Sequence, residues 1–311
     1  MCGEFMKIKN KEIIVTGGAG FIGSNLVEEL CKENKVYVID NLHTGSEENL
    51  KEAMKTGNVT FIKDDSKNIR KHNIKADIVF HLGIYSSSPM YKENPLLVSE
   101  AIAGMINVLE YAKENNSTVV FASTSSIYNG LKAPHREDMI PLVTDFYTEA
   151  RIAMERLSEL YSKLYSVNVA AMRFFSVYGK HEAAKKGYAN LITQFVITMK
   201  ENKQPVIYGD GSQKRDFIYV TDVVEALILA TKIKGFDVFN VGTGKNYSLN
   251  EIIQKINTAM GKSIKPKYIP MPIKNYVMET LADTKKSEEK LGFKAKIDVD
   301  KGIMLQIKEY C

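Results

Sequence analysis

Cysteine is scarce and tryptophan is absent from this 311-residue chain. The three cysteines, Cys2, Cys31 and Cys311, lie far apart and in no metal-binding spacing. That excludes a disulfide framework and a thiolate zinc site, and makes a reducing cytoplasm the expected home. Cys31 is expected on the first helix as a small core residue. No apolar run is long enough to cross a bilayer. The stretch Met1–Met6 lacks the apolar core of a signal peptide. Arginine is also scarce, occurring only at Arg70, Arg136, Arg151, Arg156, Arg173 and Arg215. The formal charge of +5 comes from 42 basic and 37 acidic residues, with lysines and glutamates interspersed. This pattern describes a solvated lysine-rich surface and argues against a nucleic-acid groove. Repeats and low-complexity segments are missing. The length suits one large α/β domain, or such a domain with a smaller lobe.

What is present begins with Glu12-Ile13-Ile14-Val15-Thr16, a β-branched run that reads as a buried strand. It breaks into Gly17-x-x-Gly20-x-x-Gly23, followed by Leu26, Val27 and Leu30 at helical spacing. Gly17 serves the tight turn, Gly20 a close approach of backbone to pyrophosphate, and Gly23 close helix–strand packing. The positive end of the helix, with Phe21 and Ile22 in its first turn, suits phosphate. The next strand, Lys35–Ile39, ends at Asp40, placed to accept hydrogen bonds from an adenosine ribose. Asp40 would repel a 2′-phosphate, and Asn41-Leu42-His43 supplies no arginine for one, so the expected dinucleotide is NAD.

Strands are expected at 12–16, 36–39, 59–62, 77–82, 118–123 and 167–173, and helices at 21–34, 47–55, 95–115 and 147–165. This alternation predicts a doubly wound parallel sheet. After residue 173 the pattern loosens, with turn signals at 208–211 and 241–244 and prolines at 266, 270 and 272. The expected division is therefore a dinucleotide-binding domain over 1–173 and a smaller mixed α/β lobe, mainly for substrate, over 174–311.

Two segments carry candidate chemistry. The strand Val119–Ser123 ends in Ser123, Thr124, Ser125 and Ser126. Tyr147-Thr148-Glu149-Ala150-Arg151 opens a helix, and its i, i+4 spacing puts Tyr147 and Arg151 on one face. A cation beside a phenol favours phenolate. With a Thr124 hydroxyl near the reacting oxygen, the set can take a proton from an alcohol while hydride leaves its carbon.

With these blocks in order, the chain resembles the extended short-chain dehydrogenase/reductases, in the NAD-dependent nucleotide-sugar epimerase/dehydratase family. It is most similar to the UDP-glucose 4-epimerase group of archaeal type. The blocks are Thr16–Gly23, Asp40–Leu42, Phe80–Gly83, Ser123–Tyr128, Tyr147–Arg151, Arg173–Gly179, Arg215–Phe217 and Phe239–Gly242. The resemblance implies a Rossmann-type fold, bound NAD and a UDP-sugar substrate. It implies Tyr147 as general base, Thr124 as its hydrogen-bonding partner, and Arg151 where the family usually has a lysine on the nicotinamide ribose. Thr44, Asp65, Ser66, Leu82 and Gly83 would join Gly17, Gly20, Phe21, Ile22, Asp40 and Asn41 around NAD. Ser86, Ser125, Ser126, Ser176, Asn190, Leu191, Tyr208, Arg215 and Lys274 would meet the nucleotide sugar. The implied assembly is a homodimer through helices 95–115 and 147–165.

The reaction expected first is C4 epimerisation of a UDP-hexose through a transient 4-keto sugar. A decarboxylase, reductase or dehydratase of the same fold, and a non-catalytic NAD-binding protein, are the alternatives. Dehydratases of the family commonly carry Asp-Glu after the threonine, where this chain has Ser125-Ser126.

Overall fold

The computed structural model describes residues 7–271 and 276–311. Seven strands form the main sheet. They are β1 (Glu12–Thr16), β2 (Lys35–Ile39), β3 (Val59–Ile62), β4 (Ile78–His81), β5 (Thr118–Thr124), β6 (Val169–Phe174) and β7 (Phe236–Val241). Their order is β7-β6-β5-β4-β1-β2-β3, parallel throughout. All six expected strands are present within two residues of their expected ends. The seventh comes from the second half of the chain, where the sequence pattern is loosest.

Side chains alternate across this sheet, as the two-residue strand period requires. Ile13 and Val15 of β1 and Phe80 of β4 pack on one face with α1 (Phe21–Leu30), through Leu26, Val27 and Leu30. Ile14, Val79, Val119 and Phe121 pack on the other face with α2 (Leu97–Asn115) and α3 (Phe146–Tyr165), through Met105, Leu109 and Met154. The first helix stops at Leu30, short of the expected residue 34, with the Cys31 N–H on Val27 O. The expected helix at 47–55 is a 3-10 turn, Glu47–Leu50, followed by Lys51–Met54.

The second half supplies α4 (Leu191–Lys200), α5 (Val220–Ala230), α6 (Leu249–Met260) and α7 (Val299–Tyr310). Val223, Val224 and Leu227 of α5 join the core on the α1 face of the main sheet. Helices α4, α6 and α7 share a separate core of Phe195, Val196, Ile252, Ile256, Val299 and Ile303. Three two-stranded sheets complete this half: Ser176–Tyr178 with Phe217–Tyr219, Lys214–Arg215 with Tyr247–Ser248, and Val206–Tyr208 with Lys267–Ile269. Among the described residues, no helix is long and apolar enough to cross a membrane.

Candidate active site

At β1 the strand order reverses between β4 and β2, opening a crevice at the carboxyl ends of the strands. The glycine turn forms its floor. Gly17 has φ +70°, and a Cβ there would lie 2.5 Å from Gly83 N. A Cβ on Gly23 would lie 2.1 Å from Gly17 O, so helix and turn touch backbone to backbone. Helix α1 starts after Gly20 without a side-chain cap, and Gly20, Phe21, Ile22 and Gly23 line the cleft. Its first-turn N–H groups are thereby left for an anion.

Asp40 follows β2 and is buried. Its Oδ2 accepts the Ala19 N–H at 2.9 Å and its Oδ1 the Leu42 N–H at 2.8 Å. The carboxylate fastens the glycine turn to the 41–46 loop. Burial pushes its pKa up, against these donors. Asn41 Nδ2 donates to Asp65 Oδ2 at 3.2 Å, and Ser66 Oγ to Gly83 O at 3.3 Å. Asn41, Thr44, Asp65, Ser66, Leu82 and Gly83 all line the same cleft.

At the end of β4, His81 Nδ1 lies 2.8 Å from Thr16 Oγ1, which accepts the Gly83 N–H at 3.2 Å. Burial, with Arg151 nearby, drives the His81 pKa down to about 3. The ring is therefore neutral, and it shares one hydrogen bond with the Thr16 hydroxyl.

The opposite wall carries the hydroxyl cluster and α3. Thr124 ends β5, and its Oγ1 accepts the Ser126 N–H at 3.1 Å, capping the 3-10 turn Ser125–Tyr128. Asp145 caps α3 by accepting the Thr148 N–H at 2.8 Å. One helical turn separates Tyr147 from Arg151, whose guanidinium carbon lies 4.9 Å from the centre of the Tyr147 ring. Arg151 is only 2 % exposed. Its Nη2 donates to Tyr85 O at 2.8 Å and its Nη1 to the Tyr91 hydroxyl at 3.4 Å, while its Nε is buried without a partner. Thr124, Ser125, Ser126, Tyr147 and Arg151 line the cleft, as do Ser86, Ser176 and Asn190.

Behind this wall runs a buried polar network. Arg173 grips Glu155 with two bonds, Nε to Oε1 at 3.0 Å and Nη2 to Oε2 at 2.7 Å. Ser123 Oγ donates to Glu155 Oε1 at 2.5 Å. Arg173 Nη1 donates to the Tyr128 hydroxyl at 2.8 Å, which donates to Asn240 Oδ1 at 2.7 Å. Arg173 is thus an internal ion-pair partner.

The structure does not bring every expected residue to the cleft. Leu191 packs into the core of the second half. Tyr208 stands 39 % exposed on the short strand paired with Lys267–Ile269. Arg215 lies over the Tyr276 ring at 5.2 Å, with Nη1 donating to Lys214 O and Nη2 to Val277 O. None of these three lines the cleft. Lys274 lies outside the described residues. Conversely, the cleft includes Tyr85, Lys185 and Tyr188, which sequence reasoning did not single out. Lys185 holds its ammonium 5.9 Å from the Phe21 ring centre. Burial pushes its pKa down, opposed by Glu182. The signal for it was the charged run Lys180–Lys186 between Ser176 and Asn190. Among the described residues, no group of His, Cys, Asp and Glu is placed to hold a metal ion.

Residues 13–242 match the model of the NAD dependent epimerase/dehydratase family. A UDP-glucuronate 4-epimerase of Thermodesulfobacterium geofontis is 33% identical over 305 residues, covering 93% of both chains. A UDP-N-acetyl-alpha-D-glucosaminuronate decarboxylase of Bacillus cytotoxicus is 33% identical over 274 residues, 84% of each. The structure of a UDP-N-acetylglucosamine 4-epimerase from Methanobrevibacter ruminantium, in complex with UDP-N-acetylmuramic acid, superposes with a TM-score of 0.92 at 32% identity. That match covers 97% of this chain and 99% of the other.

Proposed function

Because the chain belongs to the NAD-dependent epimerase/dehydratase family, we propose that it interconverts C4 epimers of a UDP-hexose, of the UDP-glucose/UDP-galactose type, through a transient 4-keto sugar. The observation that carries this reading is the stacking of Arg151 on Tyr147 in the cleft that also holds Thr124 and the glycine turn. NAD is the cofactor of the family, and when bound it takes and returns the hydride. The residues present fit it. An uncapped helix start suits the pyrophosphate, Asp40 the adenosine ribose, and the unpartnered Arg151 Nε a further ribose hydroxyl.

In this reading Tyr147 takes the proton of the sugar 4-hydroxyl, and Arg151 stabilises the charge that develops on the phenol oxygen. Thr124 hydrogen-bonds the reacting oxygen. Ser86, Ser125, Ser126 and Ser176 orient the sugar, and Asn190 serves the nucleotide diphosphate. Residues 1–173 hold mainly NAD and 174–311 mainly the UDP-sugar. The chain pairs as a cytoplasmic homodimer through α2 and α3, where Leu160 and Leu164 stand 48 % and 61 % exposed at i, i+4 spacing.

The test is incubation with UDP-galactose and with UDP-N-acetylgalactosamine, without added reductant, and chromatography of the sugars. The matching gluco epimer is expected. Tyr147→Phe should abolish conversion and retain NAD. Failure to convert either sugar overturns the hexose reading, and carbon dioxide release from a UDP-uronate would replace it with a decarboxylase.

A further inference from the structure

Arg151 is held by a device that the reaction itself does not require. The short helix Ser88–Glu93 brings Tyr91, fully buried, against α3, with its ring edge-on to Tyr147 at 5.5 Å between centres. The Tyr91 hydroxyl donates to Tyr85 O at 3.3 Å, which leaves its lone pairs for Arg151 Nη1 at 3.4 Å. The same Tyr85 carbonyl accepts Arg151 Nη2 at 2.8 Å. The carbonyl, the phenol and the Met154 Sδ, 3.8 Å from Nη1, therefore anchor both outer nitrogens of the guanidinium. A guanidinium is a planar fork, so fixing both outer nitrogens also fixes the direction of Nε–H. That donor is buried and has no protein partner. An orphaned buried donor costs about 1–3 kcal/mol unless something accepts from it. Arg151 lines the cleft, so a ligand there can supply that acceptor.

We infer that Tyr91 is a positioning residue: with the Tyr85 carbonyl it clamps the Arg151 guanidinium so that Nε–H is presented to a hydroxyl of bound NAD. The inference rests on the proposed placement of Arg151 at the cofactor, and it is independent of which sugar is turned over. An ammonium carries its three donors on a single nitrogen and lacks the planar fork by which two nitrogens are held while a third is aimed. The tyrosine at position 91 is thus matched to the arginine at position 151.

The experiment is a double-mutant cycle on the full-length chain, read as NAD dissociation constants by calorimetry. Its members are the wild type, Tyr91→Phe, Arg151→Met and the double variant. Phenylalanine keeps the ring that packs on Tyr147 and removes only the hydroxyl. The loss of one hydrogen bond at the clamp should weaken NAD about two- to tenfold in Tyr91→Phe. Added to Arg151→Met, the same change should alter affinity less than about twofold, because the group it acts through is gone. Melting temperatures of all four proteins accompany the titrations. A merely structural Tyr91 would lower them equally in both backgrounds and leave NAD affinity alone, and that result overturns the inference. Equal fold-losses of NAD affinity in both backgrounds overturn it as well. A non-additive NAD cycle in a protein that converts no UDP-hexose supports the clamp while rejecting the epimerase reading. In an active protein, kcat should fall with the UDP-sugar KM unchanged.

Discussion

Replacing Glu155 by glutamine would test whether Arg173 serves the fold or a ligand. The two side chains are 7 % and 5 % exposed and joined by two charge-assisted bonds, with Ser123 and Tyr128 completing the set. Removing one member of such a pair strands the other charge in the interior, at a cost of about 3–5 kcal/mol. Glutamine keeps the shape and can accept one bond, so the lower end, about 3 kcal/mol, is expected. That is a large share of the roughly 5–15 kcal/mol by which domains are stable. Arg173→Met should cost as much, because the Glu155 carboxylate would retain only Ser123 as a described donor. Glu155→Leu with Arg173→Met should be more stable than the worse single variant, since no unpaired charge remains. With no tryptophan in the chain, urea unfolding is best followed by circular dichroism. A loss below about 1 kcal/mol in Glu155→Gln, or a double variant no better than the worse single one, would refute the reasoning. If Arg173 held nucleotide instead, Arg173→Met alone would lose affinity and Glu155→Gln would keep it.

Gly17→Ala should destroy NAD binding, measured by calorimetry, because it adds positive-φ strain of about 1–2 kcal/mol to a 2.5 Å clash with Gly83 backbone; binding within a factor of three of wild type would contradict this. His81 predicts a pH dependence. Its pKa is about 3 when folded and roughly 6.5 when unfolded, so the unfolded chain binds the extra proton between these values. The contribution of a neutral His81 is complete above pH about 6.5 and is lost on acidification toward 3, by up to about 1.4 kcal/mol per pH unit. Between pH 7.5 and 4.5 the wild type should therefore lose roughly 2–3 kcal/mol more than His81→Gln in urea titrations, and parallel curves would disprove the assignment.

The parts of this molecule written in local pattern were legible in the sequence. β1, the glycine turn and Asp40 could be placed because each step has a local cause: β-branched residues, a positive φ, a carboxylate at a strand end. Tyr147 and Arg151 could be placed on one face by helical spacing alone. What failed were relations across long separations. Phe236–Val241 lies between α5 and α6 in the stretch where the sequence pattern loosens, and its place beside β6 is a matter of tertiary packing. Arg215 carries the right charge for a phosphate, yet its direction is set by Val277 and Tyr276, some 60 residues away. Nothing in the sequence marks Tyr91, since its hydroxyl acquires a partner only once β4, its loop and α3 have come together.

The late arrival of β7 has a consequence for the order in which the chain is made. Strand β6 is buried along its whole length, with β5 on one side and β7 on the other. When Phe174 leaves the ribosome, about 60 residues must still be added before Phe236 appears. At synthesis rates of about 5–20 residues per second, that edge waits on the order of 3–12 s for its partner. For that interval the nascent chain carries an apolar strand with an unpaired rim of backbone donors and acceptors, the feature most open to wrong pairing with a neighbouring chain.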